Sequence, residues 1–245
     1  MSARTTGATA VRVLAQLRRD PRTIALILAV PVVLVFLVDQ LFADRPEVFQ
    51  RVGVPLLGIF PLISMFLVTS ITMLRERTSG TLERLLTLPL AKLDLLLGYG
   101  IAFAALAALQ ATIVSLVGFG LLDLTVVNSE LVVIALAIAN AVLGMALGLF
   151  LSAFARTEFQ AVQFMPAFIL PQILLCGLIV PREEMAHWLQ WVSTVMPFTY
   201  AYDALERAAS DPTLGARFVA DVVVVTGVTL LALALGAATL RRRTP

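Results

Sequence analysis

Apolar residues in this chain come in long blocks, not in the alternation of a half-buried strand. Six blocks stand out, at 23–42, 52–74, 95–122, 131–154, 159–180 and 218–240. A bilayer core about 30 Å thick takes about 20 apolar residues per helical crossing. The pattern therefore predicts an all-α membrane protein with six transmembrane helices in one domain covering 1–245. The third block is long enough to tilt or to run past the membrane face. Prolines interrupt the first (Pro31), second (Pro55, Pro61) and fifth (Pro166, Pro171) blocks. They do not pair between halves as the broken helices of an inverted-repeat carrier do.

The polar segments between blocks are unequal. Residues 1–22, ending at Asp20-Pro21, read as an amphipathic interfacial helix. Val11, Leu14 and Leu17 give it an apolar edge; Arg12, Arg19 and Arg22 give it a basic face suited to lipid headgroups. The segments at 43–51 and 123–130 are too short to fold alone. Residues 181–217 differ. They carry a Trp-rich run from Met185 to Trp191, and then Met196-Pro-Phe-Thr-Tyr-Ala-Tyr. Trp and Tyr favour the membrane–water boundary, so this segment predicts short re-entrant helices containing Pro197, Thr199 and Tyr200.

Composition sharpens the picture. Hydrophobic residues make up 60% and charged residues 14% of the 245 positions. A soluble domain has about a quarter charged residues, so lipid must cover surface that polar side chains cannot. Thirteen basic residues fall at the termini and in the segments after the second and fourth blocks, against five on the other side. The positive-inside rule then predicts both termini in the cytoplasm of a multi-pass protein of the bacterial inner membrane. The single cysteine, Cys176, and single histidine, His187, exclude an intrachain disulfide and a cysteine or histidine metal cluster.

The most informative stretch is Arg75-Glu-Arg-Thr-Ser-Gly-Thr-Leu-Glu-Arg-Leu-Leu-Thr-Leu-Pro-Leu90, within the cytoplasmic segment 75–92. Gly80 permits a turn. The residues from Thr81 to Leu86 suit a short helix ended by Pro89. Leu82, Leu85 and Leu86 share one face, the pattern of a helix that seats in a partner's groove. Arg75, Glu76, Gly80, Thr81, Leu82, Glu83, Leu85, Leu86 and Pro89 resemble the cytoplasmic signature of ABC-2 type transporter permeases of the drug-resistance kind. The outer run beginning at Met196 resembles that family's Pro-x-Thr-Tyr segment before its last span. The resemblance implies a membrane subunit working with a separate ATPase, present in two copies, and with a second permease copy, identical or different. ATP and Mg would sit on the ATPase, and this chain would bind no cofactor. The short helix would be the coupling helix, with Glu76, Arg77 and Glu83 as its polar contacts. The implied cargo is a hydrophobic or amphipathic compound, exported across the membrane.

Absences agree with that expectation. No Gly-x-x-x-x-Gly-Lys-Ser/Thr loop occurs, nor His-Glu-x-x-His, nor Gly-x-Ser-x-Gly, so the chain is expected to be non-catalytic. His187 reads as a core or interface residue. Nucleic acid is not an expected partner; membrane lipid is. Within the blocks formal charge is confined to residues such as Asp39 and Asp221 near their ends. An ion-coupled secondary carrier, the alternative reading, usually needs buried ionisable groups along its path. Gln110, Asn140, Gln163 and Gln172 are candidates for a substrate path, and each can equally bond a neighbouring helix. The pair Gly144 and Gly148 permits close helix approach, within the chain or between copies.

Overall fold

The computed structural model describes residues 3–80 and 92–239, and among these all regular structure is helical. Helix α1 (Ala3–Arg18) ends three residues before Pro21. Asp20 then caps α2 (Pro21–Leu41), accepting from the Thr23 backbone N–H at 3.1 Å and from its hydroxyl at 2.6 Å. Pro21 takes the first turn, where its missing N–H costs nothing. Pro46 starts α3 (Pro46–Thr78) in the same way. At about 1.5 Å per residue this helix outreaches a bilayer core. Its end is marked by Gly80, whose φ of +72° only glycine adopts freely. Helix α4 (Lys92–Gly120) returns, and α5 (Glu130–Leu151) begins under a Ser129 cap.

Five helices are long and apolar enough to cross a membrane among the described residues: α2, α3, α4 from Leu97 onward, α5, and α10 (Ala216–Ala238). The block at 159–180, expected as one span bent by Pro166 and Pro171, is divided there into separate pieces. It comprises α6 (Glu158–Phe164), a π-turn (Met165–Ile169) and α7 (Leu170–Leu175), and the chain bends from Cys176 onward. The cause is Pro166 and Pro171, which lack the N–H an α-helix needs. The π-turn absorbs the defect by sending the Leu170 N–H five residues back, to Met165. At the start of α6 the Thr157 hydroxyl accepts from the Gln160 N–H at 3.2 Å, and the Gln160 side chain accepts from the Arg156 N–H at 2.8 Å. Residues 181–215 hold a 3₁₀ turn (Arg182–Glu184), α8 (His187–Val195) and α9 (Pro197–Ser210).

Helices α3 and α5 form the most extensive pair and the buried centre; α2 and α10 lie at the periphery with most of their side chains outward. The pair is close because of two glycines. A Cβ at Gly144 would lie 2.1 Å from the Leu62 carbonyl oxygen, and one at Gly148 would lie 2.5 Å from that of Phe66. The Thr69 hydroxyl sits in the same seam, 2.7 Å from Met65 O on its own helix and 3.2 Å from Met145 O across it. The glycine pair is thus an intrachain seam.

Gly144→Ala should destabilise the fold by roughly 2 kcal/mol, the scale of core overpacking. Gly227→Ala in α10, where a Cβ meets nothing within 4 Å, should be neutral or slightly stabilising. Thermal unfolding followed by size exclusion in detergent separates the two; equal losses would refute the seam.

Candidate functional site

The structure builds a polar hub where α1, the end of α3 and the end of α10 meet. Successive residues on a helix diverge by about 100°, so Arg75, Glu76 and Arg77 fan out to three different elements. Arg75 forks onto Glu158 at the start of α6, at 2.7 and 3.0 Å. Glu76 turns inward, 9% exposed, with Oε1 3.9 Å from Arg12 of α1. Arg12 in turn donates to the Tyr99 hydroxyl and lies 5.5 Å above that ring. Arg77 donates to the Thr239 hydroxyl at 3.3 Å, at the C-terminal cap of α10.

This placement changes the roles expected of the signature residues. Glu76 is nearly buried and faces Arg12, and Arg77 faces the end of α10. Arg12, placed by periodicity on a headgroup-facing stripe, is instead half-buried against Glu76 and Tyr99. Val11 and Leu14 do face outward, while Thr9, Ala10 and Val13 pack inward, with α1 lying against α4. A second tie joins these two helices, from the Thr5 hydroxyl to Asp94 at 2.9 Å. A polar cleft of about 270 Å³ lies beside the hub, lined among others by Asp20, Thr72, Arg75 and Glu76. Thr81, Leu82, Glu83, Leu85 and Leu86 lie outside the described residues, as do Arg84 and Pro89. Glu158 and Tyr99 could not be found from sequence, because their partners lie 83 and 87 residues away.

The four amide-type candidates for a path do not converge. Gln110 is fully buried and donates to Ile27 O at 2.6 Å. That carbonyl is the one Pro31 leaves without its helical N–H, four residues on, so Gln110 repairs the proline defect of a neighbouring helix. Asn140 donates to Ala201 O of α9 at 3.4 Å. Gln172 donates to Phe168 O at 2.8 Å and accepts from the Phe198 N–H at 3.3 Å. Gln163 is exposed on α6.

At the opposite end α9 is pinned from several directions. Arg182 meets Asp203 at 2.6 Å, and Arg207 meets Asp221 of α10 at 3.1 Å. The Val127 N–H reaches Ala209 O at 2.9 Å, and Asn128 bonds Ala208 O and Asp211 O. Pro197 opens α9. The Thr199 hydroxyl, fully buried, donates to Ser193 O at 2.8 Å, and the Tyr200 hydroxyl to Thr194 O at 2.7 Å. These contacts fold α8 back on α9. Trp188, Trp191, Val192 and Val195 form one exposed apolar face of α8, and His187 is exposed beside them.

The sequence profile of the ABC-2 type transporter family matches residues 5–208, from α1 through α9. The chain belongs to the ABC-2 type transporter family. This ABC-2 chain is therefore an integral membrane protein of the permease kind. It is 31% identical over 147 residues to the "Probable multidrug ABC transporter permease YbhR" of Escherichia coli (strain K12), covering 59% of this chain and 40% of that protein. To the "Probable multidrug ABC transporter permease YbhS" of the same strain it is 28% identical over 141 residues, 57% of this chain and 37% of that one. To "ABC transporter G family member 20" of Dictyostelium discoideum it is 25% identical over 138 residues, 56% of this chain and 19% of that one. The ABC-2 chain thus aligns with less than half the length of each of these curated relatives.

Burial pushes the Asp203 carboxyl up to about 6, against the opposing pull of Arg182; Asp221 raises it further and Arg207 lowers it. A raised carboxyl means that the folded state holds the proton more tightly. Its stabilising contribution is fully present below the ordinary value of 3.8 and is lost as the pH rises through about 6. The ABC-2 chain in detergent should therefore melt at higher temperature at pH 5 than at pH 7.5 through this group. Asp203→Asn should remove that part of the slope; an unchanged slope would assign it to other groups.

Proposed function

We propose that this chain is the membrane half of an ATP-driven exporter for hydrophobic or amphipathic compounds. The arrangement that carries the reading is the fan of Arg75, Glu76 and Arg77 on the last turn of α3. It ties α6, α1 and α10 to the one helix that leads into 81–91. The family supplies the context, and the multidrug names of the Escherichia coli relatives supply the cargo class.

In this reading Gly80, Thr81, Leu82, Glu83, Leu85 and Leu86 contact a separate ATPase, two copies of which serve two permease chains. Arg75 to Arg77 act one step inward, as a relay. A push on the loop tilts α3, and the hub passes that tilt to α1, α6 and α10. Binding of ATP and Mg belongs to the partner. The outer half is closed by α8 and α9, whose exposed Trp face rests in the membrane boundary as a re-entrant cap. Residues 158–175 make the sixth crossing, bent at the π-turn, and both termini lie in the cytoplasm. The sparse charge of the spans suits an apolar cargo and an external energy source. Gln110, Asn140 and Gln172 hold helices together, which leaves exposed Gln163 as the amide free to line a path.

Affinity purification from the native host tests this. A phosphate-loop ATPase should co-purify in stoichiometric amount. Glu83→Arg should reduce its retention about thirtyfold, the scale of a central contact worth about 2 kcal/mol. Arg75→Ala should leave the ATPase bound and lower the transport obtained per ATP hydrolysed. A chain that purifies alone, transports without ATPase and ignores Glu83→Arg would make it an ion-coupled carrier instead.

A further inference from the structure

The polar cleft beside the hub is built from two helix faces. Helix α1 gives it Val13 and Leu17, one turn apart, and then Asp20; α3 gives it Thr72, Arg75 and Glu76 at the same helical spacing. These faces confront each other across about 270 Å³, because α1 packs on α4 and hardly touches α3. One water takes about 30 Å³ of liquid volume, so the cleft admits a group of several heavy atoms and not only a bare ion. Its chemistry changes from wall to wall, apolar on α1 and charged on α3.

The negative charge of the cleft is under-compensated. Glu76 is nine-tenths buried, with one carboxylate oxygen 3.9 Å from Arg12 and the other without a hydrogen-bond partner. Arg12 is already bonded to Tyr99 and lies outside the lining of the cleft. A buried carboxylate so loosely paired favours a second cation close by. Asp20 is exposed in the same cleft. The hydroxyl of Thr23, which donates to it, holds its carboxyl below the ordinary value, so Asp20 is ionised at neutral pH. Arg75 supplies the opposite sign. Its Nε and Nη2 are on Glu158, which leaves Nη1 without a bond among the described residues. Two carboxylates, one guanidinium and an apolar wall match a zwitterion joined to hydrocarbon.

The depth of the cleft points to its source. Asp20 caps α2, Thr23 is in the first turn of that helix, and Thr72, Arg75 and Glu76 are in the last two turns of α3. Both helices are long and apolar enough to cross a membrane, so their paired ends lie where headgroups lie. Exposed Val11 and Leu14 on α1 suit the same boundary.

We propose that this cleft binds the headgroup of one aminophospholipid, of the phosphatidylethanolamine kind, from the leaflet at the α1 end. The ammonium lies between Asp20 and Glu76, the phosphate meets Arg75, and the glycerol and first methylenes lie on Val13 and Leu17. A primary ammonium brings three N–H donors to the two carboxylates; a trimethylammonium brings none. The bound lipid bridges α1 and α2 to the end of α3, across a gap that the long Arg12–Glu76 pair spans weakly.

The test uses the full-length protein, purified in mild detergent, stripped of lipid, and titrated with phosphatidylethanolamine, phosphatidylcholine or phosphatidylglycerol of identical acyl chains. Native mass spectrometry reads the bound fraction. One phosphatidylethanolamine should bind at about tenfold lower concentration than either of the others, the scale of one charge-assisted hydrogen bond. Asp20→Asn, which keeps a good helix cap, and Glu76→Gln should each remove most of that preference. Equal binding of phosphatidylethanolamine and phosphatidylcholine, or a preference that survives both substitutions, overturns the site. Phosphatidylglycerol binding as tightly as phosphatidylethanolamine also overturns it, because the carboxylates then read nothing. Free phosphoethanolamine that displaces the lipid at equal concentration assigns the cleft to a soluble zwitterion and overturns the lipid. Should Glu76→Gln fail to fold, Asp20→Asn and the wild-type comparison of the three lipids decide.

Discussion

The close approach of α3 and α5 over Gly144 and Gly148 is the constraint from which the rest follows. In lipid there is no hydrophobic drive to bring two apolar helices together, so backbone contact and hydrogen bonds must do it. Here the contact is backbone to backbone, with the Leu62 and Phe66 carbonyls where side chains would otherwise stand. Thr69 adds a hydroxyl bridge to Met145 O. With α3 and α5 fixed in register, α4 and α10 dock on α5, and α9 reaches the pair through Leu205 and Asn140 beside Gly58. Helix α2 contributes little packing of its own and shows Leu26, Phe36, Leu37 and Leu41 outward.

Polar chemistry is then sorted by depth. In the middle of the bundle the amides serve the backbone, as Gln110 does for the carbonyl that Pro31 releases. Charge is kept to the two ends. At the α9 end, Arg182 and Arg207 neutralise Asp203 and Asp221, and the pinned loops hold a cap in place. At the α1 end the charges link separate helices. At the α9 end they also join α9 to α10, through Arg207 and Asp221.

Helix boundaries were legible from sequence wherever local chemistry decides them. Asp20-Pro21 and Gly80 mark ends that the structure places as expected, and the apolar blocks locate five long helices. The block at 159–180 was apolar enough to be taken as one span. Pro166 and Pro171 were legible as a bend, because each lacks the N–H a helix needs, but the π-turn that accommodates them was not. The signature 75–92 was legible as a motif, but the directions of its side chains were not. Whether Glu76 points to cytosol or to Arg12 depends on where α1 lies, a contact between residues 64 positions apart. The same holds for Gln172 and Asn140, whose partners on α9 no periodicity reveals. The lone glycine pair could be read as a packing motif, yet only the structure decides that its partner is α3 of the same chain.

The hub also explains why the signature residues sit on the helix itself and not only in the loop beyond it. In the reading proposed above, contacts made only beyond the helix would pass less of a partner's push to the bundle. Three side chains that radiate from one rigid turn pass more, because α3 cannot tilt without moving Glu158, Arg12 or Thr239. Each tie is individually weak: Arg75–Glu158 is solvent-exposed, Arg12–Glu76 is long, and Arg77–Thr239 is a bond to a neutral hydroxyl. Exposed or long ion pairs contribute little stability, so strength is not what they supply. In the reading proposed above, weak ties suit this end, because they can be remade in a second arrangement at small cost. The strong contact is placed where no remaking is needed, in the glycine seam below.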